Sequence, residues 1–250
     1  MTTLALDVPR ADGRRFYVVL AGVFLLIAFG GFTPTYWWLL AHGTFKGAPI
    51  LNLHGALFFG WTLFFLLQTT LVASGRTLRH RDWGLAGISL ATAMVFSIVL
   101  AAINSIKVAQ GMGMGDEARR FSVVSLSGAL LFSGFVGLAI ANVRNPELHK
   151  RLMVLAMVPL MHAATARVFK AVMAPDAVGP PPIFISVPPG LLVDLFIVAG
   201  IVYDWRTRGR PHPVYWWGGA VLLAVQLGVM PVGASDTWLA IARWVESLAG

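Results

Sequence analysis

Residues 50–74 read ILNLHGALFFGWTLFFLLQTTLVAS, without a single Asp, Glu, Lys or Arg. As an α-helix rising about 1.5 Å per residue, such a run is longer than the roughly 30 Å hydrocarbon layer of a bilayer is thick. Working outward, comparable apolar runs at 16–41, 83–108, 121–143, 152–173, 187–204 and 214–233 predict seven membrane spans. The fold class expected is an all-α polytopic transmembrane bundle, with a tail at 1–15, a membrane domain over 16–233 and a short terminal segment at 234–250. The sixth span is the shortest, because Pro180, Pro181, Pro182, Pro188 and Pro189 crowd its start. Proline suits the first turn of a helix and breaks an interior, so that span should begin at the second proline pair.

Composition agrees. Hydrophobic residues make up 57% of the chain and charged ones 12%, against roughly 25% charged in soluble domains, and mean hydropathy is +0.75. The net charge of +8 does not form the basic stripe with interleaved aromatics that nucleic acid would require. With no cysteine, disulfides and thiolate-ligated metals are excluded, which leaves His, Met or oxygen ligands for any metal.

The cations fall on alternate loops. Arg10, Arg14, Arg15, Arg76, Arg79, Arg81, Arg144, Lys150, Arg151, Arg206, Arg208 and Arg210 share one side, and the other seven of the nineteen lie toward the opposite side. Basic loops remain in the cytoplasm, so the N-terminus is predicted inside and the C-terminus outside, in a bacterial inner membrane. Trp37, Trp38, Trp83, Trp205, Trp216 and Trp217 lie near span ends, where indoles favour the interface. The first span, preceded by Arg14 and Arg15, is too long for a signal sequence and reads as an uncleaved anchor. After the last span, Ser235 caps a segment whose Trp238, Ile241, Ala242, Val245 and Leu248 recur at helical spacing. It should lie flat on the outer surface.

Leu53-His54-Gly55-Ala56-Leu57 and Leu126-Ser127-Gly128-Ala129-Leu130 are alike, and each span ends in a turn with a basic pair, His80-Arg81 and His149-Lys150. Spans two and three thus look like a parallel repeat of spans four and five. Ser127 in place of His54 argues against two equivalent metal sites.

Polar groups within spans cost a few kcal/mol each and call for a partner or a role. His54, Trp61 and Gln68 step by seven residues along one face of the second span. With Asn104, Lys107, His162, Arg167, Lys170 and Asp194 they outline an outward-facing polar pocket, net positive, in which Arg167 should pair with Asp194. Thr33, Thr35 and Tyr36 border it. The expected ligand is small and polar or anionic, bound or transported, with His54, His162 and Asp194 offering proton coupling. Interfacial snorkelling is the ordinary explanation of Lys107 and Lys170. An alternative is a redox or assembly role with haem b, quinone or copper. His54 and His162 are the haem candidates, but helical rise puts them about 10 Å apart in depth. His80 and His149 match in depth but lie beside cations at the interface. Met112 and Met114 would suit copper, as would the stripe Met153, Met157 and Met161, although such stripes usually fill cores. Phosphate-loop, nucleophile-elbow and His-Glu-x-x-His patterns do not occur. A third alternative is an accessory subunit whose polar faces dock a membrane partner.

The run from Leu53 to Gly87, with His54, Trp61, Gln68, Gly75-Arg76, His80-Arg81 and Gly84, resembles uncharacterised bacterial multi-span membrane proteins. In these a His opens a helix, a Gln lies near its inner end and a Leu-x-His-Arg-like turn follows. The turn Leu148-His149-Lys150-Arg151 is similar, and resembles small membrane proteins associated with cytochrome oxidase genes. The resemblance implies a helical fold and a membrane location.

Overall fold

The structure, a computed structural model, describes residues 11–176 and 178–248. Most of the predicted N-terminal tail, at 1–10, lies outside the described residues. Everything regular among them is helical: α1 (Ala11–Phe32), a π-helical turn (Thr33–Trp37), α2 (Trp38–Ala41), α3 (Pro49–Ala73), α4 (Thr77–Asp82) and α5 (Gly84–Gln110) come first. There follow α6 (Gly115–Ala141), α7 (Pro146–Met173), a 3-10 turn (Ile183–Ser186), α8 (Val187–Val193), α9 (Leu195–Arg208), α10 (Pro213–Ala234) and α11 (Asp236–Ser247). Seven helical stretches are long and apolar enough to cross a membrane. Much of their surface is apolar and exposed, including Val19, Leu26, Phe96, Leu130 and Val172, as lipid contact would require.

α7 is the central helix, packed against α1, α6, α8, α9 and α10. Leu152, Val154, Leu155, Ala156, Met157 and Val158 on it are all buried, so it is apolar on every side over nearly two turns. It starts earlier than the run at 152–173 suggests, because Asn145 accepts from the Leu148 amide at 3.2 Å and Pro146 occupies the first turn. Together they form a capped start with proline where its missing N–H does no harm. That extra turn and a half carries His149, Lys150 and Arg151 into the helix, where the sequence places them in a loop.

Small residues set the closest approaches. A Cβ on Gly31 of α1 would lie 2.5 Å from the Ala164 carbonyl oxygen of α7, and one on Gly218 of α10 would lie 2.5 Å from Leu155 Cδ1. The sixth span does begin with its proline pair in the first turn of a helix, but it is divided. α8 ends at Val193, and α9 starts at Leu195 with Asp194 between them.

At the far end of the chain, Ser235 Oγ accepts from the Trp238 amide at 3.1 Å and caps α11. That helix is fastened to the bundle by Arg119 Nε on Glu246 at 2.9 Å, Gln110 Nε2 on Glu246 at 2.7 Å and Trp238 Nε1 on the Arg119 carbonyl at 3.0 Å.

Candidate functional site

The residues expected to form one pocket are distributed over three places. The first lies at the end of the bundle away from the basic turns, where α1 packs on α3 and on α7, and α3 on α5. Here His54 Nδ1 is 3.1 Å from Ser97 Oγ, and its ring packs on Phe58. Arg167 donates from Nε to Thr35 Oγ1 at 2.9 Å and from Nη1 to the Ala163 carbonyl at 2.6 Å. Its guanidinium lies 3.7 Å over the Phe32 ring, a cation–π arrangement.

Thr35 belongs to the π-helical turn, whose wider coil turns Thr33–Trp37 off the α1 register; such segments are frequent at functional sites. Next to it Phe29, Phe32, Tyr36, Trp37 and Phe59 form an aromatic cluster, with Phe29 and Trp37 stacked at 5.3 Å. Trp37 Nε1 is buried with no hydrogen-bond partner among the described residues.

The expected Arg167–Asp194 ion pair does not form. Asp194 instead accepts from Gln226 Nε2 at 3.0 Å. Depth along neighbouring helices was the basis of that pairing, and depth leaves the direction around each helix open. Asp194 stands in helical geometry at the junction of α8 and α9, the last cap of one and the first of the other, and its side chain caps neither.

His162 belongs to a second place. Its Nε2 is 2.7 Å from the Ser186 carbonyl oxygen, and it lines a cavity of about 50 Å³ with Ser127, Pro159, Ser186, Leu222 and Gln226. That volume suits a few waters and no organic molecule. His162 and His54 make no contact with each other among the described residues.

The third place is at the basic end. Gln68, buried on α3, accepts from His80 Nδ1 at 2.9 Å and donates from Nε2 to the His80 carbonyl at 3.3 Å. The His80 ring meets that of His149. Trp61, between Gln68 and His54 on the same helix, is core: it is 2% exposed, its Nε1 points to Met157 Sδ at 3.2 Å, and its ring meets Phe132 edge-on. Asn104 and Lys170 are half-buried and Lys107 is exposed. Met112 is exposed, whereas Met114 packs on Ile106, Ala109 and Ala118. The two methionines do not share an environment.

A buried charge network missed by the sequence reading lies close to this third place. Arg151 and Asp204 are both 0% exposed. Arg151 Nε donates to Asp204 Oδ2 at 2.8 Å, and Nη2 donates to Oδ1. Nη1 of Arg151 reaches Glu147 Oε2 at 2.7 Å, and Glu147 also holds Lys150 at 2.5 Å and pairs with Arg208. Asp204 Oδ2 further accepts the His212 amide at 2.9 Å. His212 Nδ1 in turn accepts from the Val214 amide at 3.2 Å and caps α10. Burial, then the Arg151 and Arg208 cations, hold the His212 pKa below its usual value, which keeps that nitrogen free to accept. The i, i+4 spacing of Glu147 and Arg151, behind the Asn145-Pro146 start, was the available signal.

Among the described residues no group of three or more His, Asp or Glu is placed to hold a metal. No family model, curated protein or solved structure matches the chain.

Proposed function

We propose that this chain is an integral protein of a bacterial inner membrane, its N-terminus cytoplasmic, that binds the anionic head of an amphiphile in its outer half. Arg167 is the anchor. The observation that carries this reading is that, among the described residues, no carboxylate lies within ion-pair distance of Arg167, although it sits within a membrane-spanning helix.

A cation there costs a few kcal/mol unless something negative approaches it. Thr35 and Ala163 are neutral acceptors and occupy only two of the five guanidinium N–H groups. The remaining fork suits a carboxylate or phosphate. The aromatic cluster of Phe29, Phe32, Tyr36, Trp37 and Phe59 offers an apolar surface for the body of such a ligand. His54, held by Ser97, supplies a second polar contact. The headgroup chemistry is common to a phospholipid and to a fatty carboxylate.

Delipidated protein in a neutral detergent, melted in the presence of phosphatidylglycerol or oleate, separates the two. A saturable rise in melting temperature is expected with one of them. Arg167→Gln should weaken that response at least about tenfold, or roughly 1.4 kcal/mol, while Arg167→Lys keeps part of it. A wild-type protein indifferent to both anions, or Arg167→Gln with an unchanged response, would refute the reading.

A further inference from the structure

We infer that His80 and His149 form a two-imidazole site for a copper(I) ion at the basic end of the bundle. The two rings come from turns far apart in sequence, on α4 and on the first turn of α7, and meet with centroids 6.2 Å apart and planes at 78°. With metal–nitrogen bonds of about 2.0 Å and each nitrogen about 1.1 Å from its ring centre, two imidazoles held in line through one metal have centroids about 6 Å apart, against about 5 Å at a tetrahedral angle.

The hydrogen bonds set both rings in the tautomer a metal requires. The Gln68 amide is oriented by its own donation to the His80 carbonyl, so its oxygen faces His80 Nδ1, which must carry the proton. His149 Nδ1 lies 2.9 Å from the Ala139 carbonyl oxygen and must donate as well. Each ring in its neutral form therefore keeps its lone pair on Nε2, and among the described residues neither Nε2 has a hydrogen-bond partner. An imidazole whose other nitrogen donates to a carbonyl or amide oxygen is the arrangement found behind metal-bound histidines.

The donor set selects the metal. Zinc takes three or four protein ligands, and no third His, Asp or Glu joins this pair among the described residues. Copper(I), a d¹⁰ ion with one positive charge, is satisfied by two nitrogen donors and accepts imidazole. Nearby positive charge is already met: Arg151 is bound by Asp204 and Glu147, and Lys150 by Glu147. Arg79 and Arg81, flanking His80, are exposed to solvent or headgroups.

The test is an anaerobic titration of the full chain in detergent with copper(I), against a competing chromophoric chelator. One equivalent should bind wild-type protein, and His80→Ala or His149→Ala should abolish it. Gln68→Leu touches neither lone pair and should weaken binding about 10–100-fold, while circular dichroism and elution volume stay as in wild type. X-ray absorption of the loaded protein should show two nitrogen neighbours. Failure of wild type to compete for copper(I), or equal binding by both histidine variants, would overturn the site. So would loss of binding only on replacing Met112 and Met114, which would place the ion in the α5–α6 turn. A Soret band formed on adding haem and lost in His80→Ala would overturn the bare ion in favour of haem iron. The Arg167 site is at the other end of the bundle, so each result stands without the other.

Discussion

Asp204→Asn should destabilise the bundle by about 3–5 kcal/mol, the usual effect of stripping a buried charge of its partner. Arg151 is wholly enclosed, and two of its nitrogens donate to Asp204. The amide oxygen introduced by the substitution would still accept from the His212 backbone, so the change isolates the charge from the turn into α10. Glu147 remains on Arg151 but is shared with Lys150 and Arg208, and cannot replace a carboxylate held by two hydrogen bonds. Adding Arg151→Met to Asp204→Asn removes the orphaned cation and fills the space with an unbranched apolar side chain. That double variant should recover most of the loss, giving a coupling energy of about 3 kcal/mol in a double-mutant cycle. Reversible unfolding in mixed detergent–denaturant micelles reads all four species. Additive losses would mean that the pair contributes nothing as a pair.

The second large effect is expected at α1 against α7, where adjacent glycines should behave in opposite ways. Gly31→Ala drives a methyl to within 2.5 Å of the Ala164 carbonyl oxygen, and 2.8 Å of its carbonyl carbon. Backbone atoms cannot rotate aside, so the helices must separate, at about 1–3 kcal/mol. Around Gly30 there is nothing within 4 Å of the new carbon. Gly30→Ala should therefore be neutral or stabilise by up to about 1 kcal/mol through helix propensity. The same unfolding measurement on the two variants decides the matter. Equal effects would show that α1 does not rest on α7 at this point.

How far the chain explains itself can be judged from particular residues. The seven spans were legible because lipid demands long apolar runs, and that demand is written in composition. The proline pair at the head of the sixth span was legible for the same kind of local reason. Arg151 was not, because a cation next to a basic turn reads as part of the loop until Asn145 and Pro146 are recognised as the start of α7. Its partner Asp204 is 53 positions away, and no periodicity links them. The failed pairing of Arg167 with Asp194 has a related cause: depth along a helix follows from counting residues, whereas the face a side chain occupies follows from packing. His54, Trp61 and Gln68 do share a helix, but different neighbours meet them at each level: Ser97, Met157 and His80. What looked like one polar stripe is a hydrogen bond, a core contact and a histidine support.

The fastening of α11 has a mechanical meaning. Its ties run to Gln110 on α5 and to Arg119 on α6, while Arg120 grips the carbonyl oxygens of Gly233 and Ala234 at the end of α10. A load applied to the last residues would reach Glu246 first, then Trp238, and only afterwards the final transmembrane segment. The terminal helix thus clasps the ends of α5 and α6 beside the end of α10, so that three spans are joined at one edge of the bundle by side chains as well as by the chain itself.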